Sequence, residues 1–462
     1  MGVNMKRVLL IDDGSLVDFI IKYTDWQIAL YVCTQSGKKQ VYQNNVRIDK
    51  YVELEDIVEK SKIYEFSVRD IEEYSEAFVS FDYGMQRYRK CMHRIHYEYY
   101  ACIAFWEHVF QNIKIDLCLV ETIDHGTQKD CLLKLAAKKY SIPLFQLTTC
   151  HFNVKNILFQ YNKTERLLPI VNHNNNLPSN SFFEIAHYAS QEQPLSIKQR
   201  IRSFLGNAII RGIHIVKNGE DEVYFPGSMY RFKILDYFYS YLYMNIVRKY
   251  TQKRYVKYDP QSKYVIFFMH FEPEAVVSHY SNEMTSQIIM IQMLSEALPE
   301  GWILYVKEHP DMYKLNYEAS LEYCIPSQSS FFNKYFVDKI LSFDNVKIID
   351  VKLSSEYIIN NAQATATICG TVVLDTIEKG KPCIVFGNKS RTYLSKCKDI
   401  FNVSSIADIK EAYKKISSGF KPNYNDFEKI FNTYGFIISD KEEYDGYEVA
   451  VQTIKKYIEG DN

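Results

Sequence analysis

Residues 264–386 alternate between short apolar runs and longer amphipathic stretches, and this alternation limits the possible folds more than any other feature of the chain. The apolar runs lie at 264–271, 302–307, 346–351, 364–369 and 382–386, with helices predicted at 283–298, 330–341, 354–361 and 371–379. Strands separated by helices pair in parallel, because the crossover returns the chain to the same end of the sheet. The pattern therefore predicts a doubly wound sheet with helices on both faces.

The first half of the chain repeats this order on a smaller scale. Strands are predicted there at 6–12, 115–121 and 144–148, and helices at 83–111, 127–140 and 230–250, while a further helix is predicted after the second sheet, at 444–458. The β-α-β order around the helix at 127–140 predicts a second parallel sheet. The polar segment 251–263, which carries Pro260, is interpreted as the linker between the two sheets.

Composition and charge exclude several classes of protein. The 55 Lys and Arg residues nearly balance the 56 Asp and Glu residues, which argues against a nucleic-acid partner. No apolar stretch reaches the ~18 residues of a membrane span, and the first apolar run is too short for a secretory signal. The ten cysteines include no CxxC pair and lie mostly in apolar segments, as is typical of reduced thiols. We therefore expect a cytoplasmic protein.

A local excess of positive charge interrupts this near-neutral composition. Residues 193–257 contain 12 Lys and Arg against 4 Asp and Glu. Apolar residues from Ile197 to Ile213 recur at helical spacing and are surrounded by several of these cations. Two interpretations are open: a solvated pair of helices, or a surface that meets anionic lipid headgroups or an anionic acceptor.

Residues suited to phosphate binding follow two predicted strands of the second sheet, at the edge where open α/β sheets bind ligands. Gly370 and Thr371 open a helix, whose free N–H groups attract an anion. His309 follows another strand, and Pro310 restricts the backbone after it, so that the ring is held at the sheet edge. Each signal alone is also typical of a helix cap or a surface histidine. Together they favour a nucleoside monophosphate or diphosphate site.

Carboxylates are expected beside this predicted phosphate site. Glu272 and Glu274 flank Pro273 at a strand end, where a carboxylate can serve as a base, a nucleophile or a ribose ligand. Asp375 lies one turn after Thr371 and is suited to bind ribose hydroxyls. Each acid taken singly is equally typical of a solvated surface.

The sequence also argues against a metal-dependent site. It contains no DxD motif of the kind that holds a metal-bound diphosphate. His93 and His96 are spaced i, i+3 in a Tyr-rich helical stretch, but the sequence offers no third ligand. We expect this pair to be structural and the site to contain no metal.

Three segments of the second half resemble those of the bacterial capsule polysaccharide biosynthesis glycosyltransferases, a family that includes Kdo transferases. They are HFEPE at 270–274, LYVKEHP at 304–310, and ICGT at 368–371 followed by Asp375 and by GKP at 380–382. The family shows QPE, VKEHP and GT…E…GKP in the same order, and the resemblance extends over about residues 264–390. Three positions depart from it: Glu272 replaces Gln, Val373 replaces Gly, and Asp375 replaces Glu.

The resemblance implies a GT-B-like α/β fold, in which two Rossmann-like domains face a cleft, with a helical insert in the first half. It implies an acceptor-side domain at 1–255, which includes the basic aromatic segment 193–257, and a nucleotide-sugar-binding domain at 256–440. Residues 441–462 are expected to form a helix that packs back on the first domain. The nucleotide sugar is a substrate, so no cofactor is expected.

The resemblance also assigns roles to individual residues. Donor binding falls to Lys307, His309, Pro310, Gly370, Thr371, Asp375 and Glu272, among which His309 and Lys307 meet the phosphate. Glu274 is expected to be the carboxylate that assists sugar transfer. His125 and Asp13, at strand ends of the first domain, are candidates for the base that deprotonates the acceptor hydroxyl.

The predicted function is a metal-independent glycosyltransferase of capsule or lipopolysaccharide biosynthesis. Its expected partners are a nucleotide sugar such as CMP-Kdo, a glycan or lipid-linked acceptor, and the anionic inner face of the membrane. Three alternatives are left open. They are a polyol-phosphate transferase of the teichoic-acid type, a sugar-nucleotide 2-epimerase, and an inactive scaffold that binds nucleotide sugars without transferring them.

Overall fold

The computed structural model describes residues 5–12, 15–33, 48–53, 57, 67–86, 92–121, 129–149, 155–161, 165–170, 222–224, 231–272, 286–313, 331–368, 370–387, 396–437 and 446–459. The chain divides into two compact units. The first contains Met1–Asp82, Cys91–Ser190 and Glu428–Asn462, and the second contains Tyr83–Lys90 and Gln191–Phe427. The division differs from the boundary predicted at residue 255, because Met244 and Val247 pack into the core of the second unit.

A mixed sheet organises the chain up to residue 170. The elements are β1 (Arg7–Asp12), α1 (Ser15–Tyr23), β2 (Gln27–Cys33), β3 (Tyr51–Glu53), α2 (Val68–Tyr74), α3 (Phe78–Gln86), α4 (Met92–Asn112), β4 (Leu117–Glu121), α5 (Lys129–Lys139), β5 (Leu144–Thr149), β6 (Lys155–Tyr161) and β7 (Glu165–Leu167). The order β3-β2-β1-β4-β5 is parallel, and β6 adds antiparallel to β5 and pairs with β7. The helix predicted at 83–111 corresponds to the end of α3 and to α4, and residues 87–91 between them lie outside the described part of the chain.

The second unit is built on a parallel sheet. Its elements are β8 (Glu222–Tyr224), β9 (Arg231–Lys233), α6 (Ile234–Gln252), β10 (Tyr264–Phe268), α7 (Gln287–Ala297), β11 (Ile303–Lys307), α8 (Lys334–Leu341), β12 (Val346–Ile348), α9 (Ser355–Asn361), β13 (Ala364–Thr367), α10 (Val372–Glu378), β14 (Cys383–Val385), β15 (Ile400–Asn402) and α11 (Ile406–Ser417). The order β12-β11-β10-β13-β14-β15 is that of a Rossmann sheet, while β8 and β9 form a separate hairpin. The predicted class, two α/β units each containing Rossmann-like strand order, is confirmed.

The central strand β10 shows why this sheet forms. Val265 and Phe267 pack into the core on one face of the sheet, and Tyr264 and Ile266 pack into the core on the other. Successive side chains of a strand point to opposite faces, so a continuous apolar run is stable only when helices cover both. The run YVIFF therefore specifies a central strand.

The C-terminal part of the chain returns to the first sheet. It contains α12 (Asn425–Tyr434), β16 (Gly435–Ile437) and α13 (Gly446–Glu459). β16 pairs antiparallel with β6, and α13 buries Ala450 and Ile454 in the core that also contains Leu16. The first sheet is therefore completed by residues distant in sequence.

Candidate functional site

The carboxyl ends of β10 and β13 lie side by side in the middle of the second sheet. The two strands pair in parallel from Val265 and Ala364 to Phe267 and Ala366. From β10 the chain crosses over to β11, toward one edge of the sheet, and from β13 it crosses over to β14, toward the other edge. The boundary between β10 and β13 is therefore the topological switch point of the sheet. Open α/β sheets leave a ligand crevice at such a point.

A buried imidazole is hydrogen-bonded across this switch point. His270, two residues after β10, places Nε2 3.2 Å from Oγ1 of Thr367, the last residue of β13. The Thr367 hydroxyl donates to the carbonyl of Phe268 at 3.3 Å, so the ring Nε2–H is the donor toward Thr367. The N–H of Gly370 donates to the same Oγ1 at 3.3 Å. One threonine thus joins both strand ends.

Gly370 lies too close to this imidazole for a larger residue. A Cβ at position 370 would be 3.0 Å from Thr367 Oγ1 and 3.4 Å from His270 Nε2. Both atoms are held by hydrogen bonds, so neither can give way freely. Glycine is therefore required by packing here.

The backbone of His270 is held by a buried side chain of α7. The N–H of His270 donates to Oε1 of Gln287 at 2.8 Å, and Nε2 of Gln287 donates to the His270 carbonyl at 3.1 Å. Gln287 is only 1% exposed. These two hydrogen bonds satisfy the backbone N–H and carbonyl of His270, which lies beyond the last residue of β10.

Glu272 is a buried acid in the same loop. The hydroxyl of Tyr83 donates to its Oε1 at 2.9 Å. Burial raises the pKa of the Glu272 carboxyl to about 7, against the opposing effect of hydrogen bonds from Tyr83 and Gln287. The group therefore changes its charge near neutral pH.

The neighbouring strand end, that of β11, supplies a buried cation and an acid. Lys307 is the last residue of β11, and burial lowers the pKa of its ammonium, while Asp350 and Glu308 act in the opposite direction. Glu308 is also buried, and its Oε2 accepts a hydrogen bond from the Tyr255 hydroxyl at 2.6 Å. Lys307 is therefore buried within the electrostatic influence of two carboxylates, those of Asp350 and Glu308.

His309 follows directly and is half-buried. Its ring centroid lies 6.2 Å from that of Phe271, and its carbonyl accepts a bond from the N–H of Met312 at 3.1 Å. Pro310 is exposed and opens a short 3₁₀ helix. His309 and the His270 loop are thus brought together through Phe271.

The helix after Gly370 differs in part from the predicted cap. Thr371 is the N-cap of α10, but it is exposed and makes no side-chain capping hydrogen bond. Asp375 lies in the first turn, half-buried, and acts electrostatically on Lys379. Val373 is fully buried.

Three predicted catalytic residues, Glu274, His125 and Asp13, lie outside the described residues. The strands that precede the last two are described. β1 ends at Asp12 and β4 at Glu121, and these strands pair in parallel across the switch point of the first sheet.

Sequence reasoning assigned no role to four residues that hold the site together: Tyr83, His270, Gln287 and Thr367. Tyr83 contacts Glu272 over 189 positions, and no local pattern indicates such a pair. Gln287 carried a partial signal, because it is one of only two polar residues in the segment QIIMIQML and, unlike Gln292, it is buried. Such a residue must find a buried partner.

The described residues contain neither a cluster suited to a metal ion nor a helix suited to span a membrane. No group of three or more His, Cys, Asp or Glu residues there is placed to hold a metal ion. No described helix is long and apolar enough to cross a bilayer.

Solved structures of sugar-processing enzymes are distantly similar to this chain. The β-Kdo 2,7 transferase KpsC of Thermosulfurimonas dismutans is 12% identical with a TM-score of 0.32, and the match covers 76% of this chain and 88% of that one. The β-Kdo 2,4 transferase KpsC of the same organism is 14% identical with a TM-score of 0.31, covering 74% and 87%. The UDP-GlcNAc 2-epimerase of Methanocaldococcus jannaschii, in complex with UDP-GlcNAc and UDP, is 13% identical with a TM-score of 0.30, covering 98% and 100%.

No protein-family model matches the chain, and no curated protein matches it. At the identities and TM-scores of these structures, the assignment of a function depends on the chemistry of the residues described above.

Proposed function

We propose that this chain is a nucleotide-sugar-dependent glycosyltransferase of bacterial surface polysaccharide biosynthesis. The observation that carries the proposal is that Thr367 hydrogen-bonds both the His270 imidazole and the Gly370 N–H at the switch point of the second sheet. An imidazole, a glycine and two strand ends meet where a Rossmann-like sheet leaves its ligand crevice. This chemistry suits the phosphate of a nucleotide donor.

Each strand end then contributes one part of donor binding. His309 donates a hydrogen bond to the donor phosphate, and Lys307 compensates its negative charge. Gly370 lets the phosphate approach the backbone, with Thr371 and Pro310 beside it. Glu272, whose pKa is about 7, is suited to donate a hydrogen bond to the nucleoside when it is protonated, and Asp375 is proposed to bind ribose hydroxyls.

The transfer step is assigned to a carboxylate. Glu274 attacks the anomeric carbon as the bond to the donor phosphate breaks, and the nucleotide leaves with the bonding electron pair. The acceptor hydroxyl, deprotonated by His125 or Asp13, then displaces Glu274 and forms the new glycosidic bond. The donor proposed first is CMP-Kdo or another CMP-linked acidic sugar, and the acceptor is a glycan or a lipid-linked glycan.

Nucleotide binding is tested first, by thermal shift with CMP, CDP, UDP, GDP and TDP. A ligand at 100 times its dissociation constant adds about 2.7 kcal/mol to stability, which raises the melting temperature measurably. The expected result is a rise with CMP for the wild type and for His93→Ala, an exposed histidine of α4, and a loss of that rise in His309→Ala. A rise with UDP or GDP alone would remove CMP-Kdo as the donor.

Transfer is tested with the donor that binds. Glu274→Gln is expected to keep the thermal shift and to lose turnover, because the amide cannot act as the nucleophile. Near-normal turnover in this variant would overturn the assigned mechanism. Donor binding by the wild type without transfer or hydrolysis would favour the scaffold function instead.

A further inference from the structure

Helix α6 carries apolar side chains on two opposite faces. Met244, Val247 and Thr251 are buried and face the core of the second unit. On the opposite face, Leu242 is 62% exposed and Ile246 is 52% exposed. At about 100° per residue, these two positions lie within one narrow stripe, which a soluble helix normally fills with polar residues.

The same stripe continues into cations. Lys249 and Lys253 follow Leu242 and Ile246 at helical spacing, and both are exposed. The N–H of Lys253 donates to the Lys249 carbonyl at 3.3 Å, so the helical geometry extends over both residues. The stripe therefore has an apolar half and a cationic half.

Helix α8 extends this surface. Tyr335 is 71% exposed. The Tyr250 hydroxyl of α6 donates to Oδ1 of Asp338 in α8 at 2.6 Å, and the Lys334 ammonium lies 5.2 Å from the Tyr250 ring centroid. The guanidinium of Arg254 stacks 3.4 Å from the same centroid. These contacts hold the two helices together as one platform.

We propose that this α6–α8 surface (Leu242, Ile246, Lys249, Lys253 and Tyr335) binds the surface of a bilayer that contains anionic lipids. Leucine and isoleucine enter the boundary between headgroups and acyl chains, and tyrosine suits the headgroup level. The lysines extend to the phosphates while their stems remain on the apolar side. The proposal thus assigns the membrane contact predicted for segment 193–257 to the residues of this surface.

Charge favours a membrane over a second copy of the chain. A two-fold dimer would bring each patch onto its own copy and place Lys249 and Lys253 opposite like charges. An anionic bilayer meets the same two cations with opposite charge. The bilayer is therefore the better complement to a surface that is both apolar and cationic.

Co-sedimentation with vesicles tests the proposal on the full-length protein without any nucleotide. Vesicles of phosphatidylcholine alone are compared with vesicles that also contain phosphatidylglycerol. Lys249→Glu/Lys253→Glu is expected to weaken binding to the anionic vesicles by about tenfold or more. The matched control, Lys410→Glu/Lys414→Glu, reverses two exposed charges at the same spacing on α11 of the same unit and is expected to bind nearly as the wild type does.

The apolar half is tested by Leu242→Ser/Ile246→Ser, against the single change Ile289→Ser at a position of α7 that is 45% exposed. The double variant is expected to lose most vesicle binding and to keep the wild-type melting temperature and nucleotide-induced shift. Equal binding to both kinds of vesicle, or equal loss in the controls, would overturn the proposal. The proposal would also be overturned if light scattering showed that the wild type is a dimer and that the double variant is a monomer. Because the vesicle assay contains no nucleotide, its failure is distinct from failure of the proposed function.

Discussion

Glu272 shows how burial gives one residue a pH-dependent role. Its carboxyl is 4% exposed, and its pKa in the folded protein is about 7 against an ordinary value of 4.5. Between these two values the folded state holds a proton that the unfolded chain has released. Stability therefore falls as the pH rises through this window and is constant above it, with a total change of up to about 3 kcal/mol.

Glu272→Gln is expected to remove this dependence, because an amide cannot ionise and can still accept the Tyr83 hydroxyl bond. At pH 8 the variant should unfold at a higher urea concentration than the wild type, with a free energy of unfolding larger by about 1 to 3 kcal/mol. At pH 5 the two proteins should have nearly the same urea midpoint. The control is Glu296→Gln at an exposed position of α7. A difference that shrinks as the pH rises would contradict the raised pKa.

The second prediction for a single residue concerns Gly370. In Gly370→Ala the new methyl group would meet Thr367 Oγ1 at 3.0 Å and displace it from His270. We expect a loss of about 1 to 3 kcal/mol in stability and a smaller nucleotide-induced thermal shift. Gly419→Ala is the control, because φ there is +88° and no atom lies within 4 Å of the added Cβ. That change should cost about 1 to 2 kcal/mol through backbone strain and leave the thermal shift unaltered.

The sequence predicts the positions of these residues better than their contacts. Gly370 and His309 were identified because each follows an apolar run, and a parallel sheet brings its strand ends to one edge. The hydrogen bond between Tyr83 and Glu272 depends on tertiary packing and has no counterpart in local spacing. The same holds for the Gln287 bonds to the His270 backbone.

At the scale of elements, one acid joins three helices of the first unit. Glu107 of α4 is 2% exposed, and its Oε1 accepts bonds from the Tyr74 hydroxyl and the Lys139 ammonium, each at 2.8 Å. Its Oε2 accepts a bond from the Tyr140 hydroxyl at 2.7 Å. Tyr74 ends α2 and Lys139 ends α5. The packing of these helices thus depends on a charge that is fully hydrogen-bonded.

Glu107→Ala is expected to destabilise the protein by about 3 kcal/mol, because it leaves the buried Tyr74 hydroxyl and Lys139 without this acceptor. Urea unfolding measures the change, and amide exchange should increase in α2, α4 and α5. Glu73→Ala removes a second carboxylate that lies 2.8 Å from Lys139 but is 36% exposed, and should cost less than about 1 kcal/mol. Equal costs for the two variants would show that burial does not decide the effect.

Element prediction succeeded where apolar runs were long and bounded. β10, β11 and β13 match predicted runs that extend one to three residues beyond them, because apolar residues continue after the ladder ends. β2 was missed, since a continuous run such as QIALYVC does not distinguish a buried strand from a buried helix by period. β15 was also missed, because Asp399 precedes it and Asn402 lies within it, so no long apolar run marks it; β12 and β14 are equally short but lie inside longer apolar runs.

At the scale of the whole molecule, the two units have separate cores. Ile454 of α13 is fully buried in the core of the first sheet, whereas Ile416 of α11 is buried in the core of the second. These residues are close in sequence, but the chain enters the first unit again after Phe427. Local sequence gives no sign of this return, because β16 is a three-residue strand whose partner, β6, lies in the first third of the chain.

Each isoleucine should therefore stabilise its own unit. Ile454→Ala and Ile416→Ala each create a cavity that costs about 2 to 5 kcal/mol. Amide exchange measured by mass spectrometry is expected to increase in β1 and β4 for the first variant and in β10 and β13 for the second. The nucleotide that binds should restore protection at β10 and β13, because it binds only the folded second unit. The prediction would be wrong if Ile454→Ala increased amide exchange equally in both sheets. The two units would then unfold together, and a nucleotide bound to the second unit would also protect the first unit from exchange.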